Sequence, residues 1–140
     1  MPAARPLPAV IGQTENALRA LLTRILSRTR IKTYPAWVTL NAASDADATA
    51  STGHWRRAVA AALKVELGEV DAVLVQLRAE GLINSDDTPT DLGASELAAG
   101  RSAVSAATSR LVDGISEEDQ TAALLVLDQI RRKAEELLRM

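Results

Sequence analysis

The chain has 140 residues, a formal net charge of -2 and an apolar fraction of 47%, which is enough for one domain with a core. It has no Cys, which excludes disulfide scaffolds and thiolate sites and makes a reduced, cytoplasmic setting the default expectation. Its apolar residues are mainly aliphatic, with 26 Ala and 19 Leu but only three aromatic residues. Because strands favour aromatic and β-branched side chains, this composition predicts a mainly α protein.

Apolar residues at helical spacing predict a first helix over residues 10–30, with Leu18, Leu22 and Ile25 on its apolar stripe. Its other face is basic. The run of Arg24, Arg28, Arg30 and Lys32 is expected to be solvated or to form interface salt bridges, with phosphate contact as the alternative.

The next segment contains a proline and then a stretch without apolar periodicity. Pro35 is well suited to begin a second, short helix, because its fixed φ angle matches the first helical position. Residues 44–53 are small and polar, and we expect them to form a flexible surface loop.

The middle of the chain predicts a helix-turn-helix. One helix is expected to resume at Thr52, and residues 64–67 break it before a second helix over residues 68–80. In this second helix Val70, Leu74 and Leu77 recur at helical spacing, and Gly81 is well placed to end it. Two helices joined by a tight turn are typical of this motif.

Two more helices are predicted after a turn at residues 84–89. The first is Ala-rich and covers residues 90–114. The last begins at Ser116, since Ser116 and Asp119 have the spacing of a capping box, and it continues to the C-terminus. Its apolar set is wider than one stripe and must be covered, for which a second copy of the chain is the economical partner.

These elements resemble the MarR family of winged-helix transcription regulators. Residues 58–83, AVAAALKVELGEVDAVLVQLRAEGLI, match the family's helix, turn, recognition helix and wing opening without gaps. Residues 90–93 resemble the element that closes the wing, although Pro89 stands where Leu is usual, and residues 111–120 resemble the joint between the last two helices. The resemblance implies a single domain over residues 1–140, with dimerisation helices at 10–32 and 91–140 and a winged helix-turn-helix at 35–90.

The resemblance also implies three kinds of site. For contact with double-stranded DNA the matching residues are Arg56, Arg57, Lys64, Gly68, Ala72 and Gln76; for the three bases a solvated helix face is the alternative. A pocket for a small aromatic effector falls near Tyr34, Trp37 and Trp55, with core packing as the alternative. The homodimer interface is expected at Leu18, Leu22, Ile25, Leu124, Leu127, Ile130 and Leu137.

The sequence departs from the family pattern where DNA would bind. Residues 66–91 contain seven acids and one base, Arg78, and about half of the wing hairpin is missing, which reduces the wing to a short hairpin or turn. A carboxylate about 6 Å from a phosphate is repelled by about 0.7 kcal/mol in water and about 2.8 kcal/mol at an effective dielectric of 20. The alternative hypothesis is therefore a winged-helix scaffold that has lost DNA binding and serves as a protein-interaction or ligand-binding module.

No pattern predicts catalysis or a cofactor. His54 is the single histidine, and neither a metal site with three or four convergent ligands nor a serine-hydrolase motif accompanies it. The longest apolar runs, residues 58–63 and 122–127, are much shorter than the roughly 20 residues that span a bilayer. We therefore expect no enzyme, no metal, no cofactor and no membrane partner.

Overall fold

The computed structural model describes residues 5–48 and 54–140. These residues contain six α-helices. They are α1 (Leu7–Leu26), α2 (Tyr34–Ala48), α3 (Trp55–Leu63), α4 (Leu67–Ala79), α5 (Asp91–Val112) and α6 (Glu117–Leu138). The chain divides into two compact units, Met1–Ser105 and Ala106–Met140. The mainly α prediction is confirmed for the described residues.

Helix α1 ends four residues earlier than the sequence predicts. The hydroxyl of Thr29 donates a hydrogen bond to the carbonyl of Leu26 at 2.8 Å and accepts one from the N–H of Ile31 at 3.0 Å. Leu26 and Ile31 are both fully buried. The buried pair and the hydroxyl between them therefore turn the chain out of the helix before Arg30.

Helix α2 corrects the predicted loop at residues 44–53, because residues 44–48 are helical. Ala43 and Ala46 are buried on its inner face, and the guanidinium of Arg101 donates a hydrogen bond to Oδ1 of Asn41 at 2.8 Å. The end of α2 is therefore packed through small alanine side chains, and a search for spaced large apolar residues does not detect it. Residues 49–53, and with them the predicted helix start at Thr52, lie outside the described residues.

The first unit has an aliphatic core between α2, α3, α4 and the start of α5. Its buried residues include Ile31, Leu40, Val59, Ala60, Val70, Leu74, Leu77, Leu82, Ile83 and Leu97, with Trp37 and Trp55 packed partly against them. This core uses the Leu and Ala that dominate the composition. Burying Val70, Leu74 and Leu77 on one side of α4 leaves the opposite side of that helix facing solvent.

The turn between α3 and α4 is short and tightly bonded. Lys64 ends α3 in the left-handed conformation, with φ of 58°, and the N–H of Val65 donates to the carbonyl of Ala60 at 3.0 Å. Helix α4 then begins at Leu67. The helix-turn-helix prediction is confirmed at this level of secondary structure.

A small turn connects α4 to α5. Within the described residues the segment forms no strand, only a single antiparallel bridge between Ile83 and Pro89. The N–H of Asn84 donates to the carbonyl of Thr88 at 2.7 Å. At the start of α5, a Cβ on Gly93 would overlap the carbonyl oxygen of Leu82, so only glycine fits there.

The second unit contains the end of α5 and all of α6. The hydroxyl of Ser116 accepts a hydrogen bond from the N–H of Asp119 at 3.1 Å, which caps α6 as predicted, and Gly114 adopts a φ of 81° before it. Many of the unit's large apolar side chains are exposed: Leu111, Val112, Ile115, Leu124, Leu125, Val126, Leu127, Leu137 and Leu138. Among the described residues no helix is long and apolar enough to cross a membrane.

Candidate nucleic-acid interface

The solvent side of α4 carries three of the residues expected to contact DNA. Gly68, Ala72 and Gln76 are exposed and follow one another at intervals of four, so they form one line along the helix, which we call the exposed stripe. The small side chains at Gly68 and Ala72 allow close approach of another molecule to the helix backbone. Val75, also exposed, lies beside the stripe.

Acidic side chains surround the exposed stripe. Glu66, Glu69, Asp71 and Glu80 are all exposed, and α4 itself carries one base, Arg78. In the geometry of the helix, Glu69 and Asp71 flank Gly68 and Ala72. The electrostatic field of this surface therefore opposes a phosphate backbone, in agreement with the charge count of the sequence.

Asp87 holds two arginines at the edge of this surface. Its carboxylate forms ion pairs with the guanidinium groups of Arg56 and Arg78, and Nε of Arg78 donates to Oδ1 of Asp87 at 3.0 Å. The Asp87 residue is only 7% exposed and has a left-handed φ of 66°. The three residues join α3, α4 and the turn in one charged cluster.

The predicted phosphate contacts therefore differ in their surroundings. Arg56 is directed at Asp87, and within the described part of the chain its buried Nε has no hydrogen-bond partner. Arg57 is exposed on α3. Lys64 is exposed and its ammonium donates to the carbonyl of Ala61 at 3.0 Å. The sequence does not predict the ion pairs of Asp87 with Arg78 and Arg56. Its one signal is that Arg78 is the single base among seven acids in residues 66–91.

Hydrogen bonds within the turn stabilise the charged form of its other carboxylate, Asp86. The hydroxyl and the N–H of Thr88 both donate to Oδ1 of Asp86, at 2.6 and 3.2 Å. The hydroxyl bond is the larger cause that lowers the pKa of Asp86 below its usual value, because both bonds favour the charged form. The tip of the turn thus carries a carboxylate whose charge is stabilised by its own backbone and side-chain neighbours.

A cavity of about 270 Å³ lies beside α4 in the first unit. It is lined by Arg19, Tyr34, Pro35, Ala62, Leu63, Val65, Glu69, Val70 and Val73. The guanidinium carbon of Arg19 lies 4.7 Å from the centre of the Tyr34 ring, within cation–π range. The cavity thus combines apolar walls with one cation and one carboxylate, Glu69.

The three aromatic residues do not line this cavity together. Tyr34 lines it, whereas Trp37 and Trp55 are absent from its walls. A Cβ on Gly100 would lie 2.7 Å from Cζ3 of Trp37, so the indole of Trp37 packs closely against α5. Trp55 packs partly against the core and lies 5.6 Å from the guanidinium carbon of Arg56.

The residues expected at a dimer interface differ in exposure. On α1, Leu18 is exposed while Leu22 and Ile25 are half-buried. On α6, Leu124 and Leu137 are each 69% exposed, Leu127 is also exposed, and Ile130 is half-buried. Each helix therefore presents apolar surface to solvent.

In the regions that the structure describes, no three His, Asp or Glu side chains are arranged so that they could bind a metal ion.

The chain has a MarR-like fold. A MarR-family transcriptional regulator from Rhodococcus sp. RHA1 superimposes with a TM-score of 0.64 over 98% of both chains at 19% sequence identity. A protein of unknown function from Listeria innocua Clip11262 superimposes with a TM-score of 0.66 over 91% of both chains at 18% identity. No protein-family model and no curated protein sequence matches the chain.

Proposed function

We propose that the chain is a MarR-like transcription regulator that binds double-stranded DNA as a homodimer and has no catalytic activity. The observation that carries this proposal is the exposed stripe of α4, which follows a tight turn after α3 in a fold shared with a MarR-family regulator. In helix-turn-helix proteins the second helix enters the major groove. In this function Gly68 and Ala72 let the backbone approach the bases, and Gln76 contacts a base edge.

Dimerisation is proposed from the exposed apolar side chains of α1 and α6. Leu124, Leu127 and Leu137 on α6 and Leu18 on α1 leave apolar area in water, and removing apolar area from water favours association. A second copy of the chain would cover these side chains. Two copies would present two α4 helices to a pseudo-palindromic site.

We further propose that the cavity beside α4 takes a small aromatic effector. Val70 and Val73 supply apolar walls and Tyr34 an aromatic one. Arg19 pairs with Glu15 in the structure, and a carboxylate on the ligand would take the place of Glu15 as its partner. Glu69, Val70 and Val73 belong to α4, so a bound ligand contacts this helix directly. A ligand that binds more tightly when α4 is in one position than in another shifts the helix towards that position. Binding of the effector would then alter the spacing of the two α4 helices.

A second function is favoured by the charged cluster around Asp87. With Arg56 and Arg78 both paired to one carboxylate, the acidic surface of α4 has lost two cations that would otherwise reach phosphates. The alternative is a winged-helix scaffold without DNA binding that acts as a protein-interaction or ligand-binding module. Sequence-dependent binding of DNA distinguishes the two.

The test compares Gln76→Ala with Gln129→Ala, a change at an exposed glutamine of α6. Fluorescence anisotropy is measured with a duplex from upstream of the chain's own gene and with an unrelated duplex of equal length. We expect Gln76→Ala to reduce the preference for the upstream duplex by about 1–3 kcal/mol, as for one base contact, and Gln129→Ala to leave it unchanged. Equal affinities of the unmodified protein for both duplexes would contradict the regulator function.

A further inference from the structure

Four cationic residues follow one another closely in the sequence at the end of α1 and just after it. We call Arg24, Arg28, Arg30 and Lys32 the basic cluster; all four are exposed. Within residues 5–48 and 54–140 none of them takes part in an ion pair. The helix dipole favours a positive charge at Arg24, which lies in the last turn of α1. Arg30 and Lys32 lie beyond the end of the helix and gain no such stabilisation.

Most other arginines of the described chain have carboxylate partners. Arg19 pairs with Glu15, Arg101 with Asp45, and Arg131 and Arg132 with Asp128. The basic cluster therefore carries four cations without an ion pair in the described chain, whose net charge is -2 over the full sequence. Like charges repel one another, and an anionic partner would relieve that repulsion.

Two members of the basic cluster, Arg30 and Lys32, border the C-terminal end of α4. Arg30 and Lys32 share an open hollow of about 380 Å³ with Glu80, the residue that follows α4. Lys32 also lines a smaller hollow of about 40 Å³ with Gln76 and Glu80. The N–H of Arg30 donates to Oε2 of Glu96 on α5 at 3.0 Å, which fixes the backbone of this connection.

We propose that the basic cluster is a phosphate-contact surface for double-stranded DNA, flanking the groove that α4 enters. This inference rests on the proposed function. It is carried by the hollow that Lys32 shares with Gln76 of the exposed stripe, and by the ion pair of Arg78, the one base of α4, with Asp87. A duplex lying along α4 meets its positive charges on the neighbouring connection between α1 and α2.

The salt dependence of DNA binding measures such contacts directly. Each phosphate neutralised by a cation contributes about 0.9 to the slope of log affinity against log salt concentration. Replacing all four side chains by Gln is expected to flatten the slope by about 3 to 4 on any duplex. The control, Arg110→Gln with Lys133→Gln and Arg139→Gln, removes three exposed cations, one each from α5, from α6 and from the position after α6, and should leave the slope unchanged.

The outcomes separate the inference from the proposed function. If the unmodified protein binds no DNA at about 50 mM salt, both fail; if it binds and the fourfold variant keeps the control's slope, only the inference fails. Light scattering is measured on the same samples, and a fourfold variant that becomes monomeric while the unmodified protein is dimeric would mark the cluster as an interface between copies. The single variants Arg28→Gln and Lys32→Gln, each expected to flatten the slope by about 0.9, serve if the fourfold variant does not fold.

Discussion

Asp87 and Arg78 are joined by a hydrogen bond of 3.0 Å from Nε of the arginine to Oδ1 of the carboxylate, which ties the tip of the short turn to the end of α4. Arg56 from α3 pairs with the same carboxylate. This one acid therefore does two things. It holds three elements of the first unit together, and it withdraws two cations from the surface next to α4.

Asp87→Asn is expected to destabilise the fold by about 1.5–3 kcal/mol, the range for hydrogen bonds to charged groups. Asparagine tolerates the left-handed backbone at this position, so the loss would come from the carboxylate charge. Urea denaturation measures the free energy of unfolding. The control is Asp86→Asn, an exposed neighbour without an ion pair among those of the described chain; equal effects of the two changes would contradict the role of Asp87.

The same pair of variants is expected to differ in DNA binding. Each removes one negative charge, but only Asp87→Asn releases Arg56 and Arg78. If both guanidinium groups then reach phosphates, the salt slope steepens by up to about 1.8 relative to Asp86→Asn. Anisotropy titrations at several salt concentrations give this difference. Identical slopes would mean that the two arginines do not face the duplex.

Gly93→Ala is expected to destabilise the protein or prevent its folding, because the new Cβ would overlap the carbonyl oxygen of Leu82. The contact is with backbone, which relaxes less easily than a side chain. Gly12→Ala is the control: nothing lies within 4 Å of a Cβ there, and alanine in a helix gains about 0.5–1 kcal/mol over glycine. Thermal unfolding should therefore move in opposite directions for the two changes.

Ala62→Leu is expected to abolish binding of an aromatic carboxylate such as benzoate. Ala62 lines the cavity beside α4, and the larger side chain fills the space that the ring would occupy. Ala61→Leu alters the exposed neighbouring residue, which does not line that cavity, and should leave binding unchanged. Calorimetric titration of benzoate into the three proteins provides the comparison; equal binding by all three would place the ligand elsewhere.

Much of the fold follows from local sequence signals. Apolar spacing predicts α4 and its buried side, Gly81 ends that region, and Ser116 caps α6. The extension of α2 to Ala48 does not follow from such signals. Ala43 and Ala46 are buried by tertiary packing, and the polar residues between them interrupt the apolar spacing that would predict a helix.

The candidate site is less predictable, because its key contacts join residues distant in sequence. The sequence places Gly68, Ala72 and Gln76 on one side of a helix, but only tertiary structure brings Arg56 to Asp87. Likewise Tyr34 lines a cavity with Arg19 while Trp37 packs against Gly100. Residue type alone does not distinguish an aromatic that lines a cavity from one that fills a core.

The most direct test of the proposed function is an anisotropy titration of the full chain with DNA from upstream of its own gene. At about 50 mM salt, where phosphate contacts are strongest, we expect saturable nanomolar binding that weakens steeply as salt is raised and that an unrelated duplex does not match. Absence of binding at that salt concentration would contradict a DNA-binding regulator and leave the scaffold function.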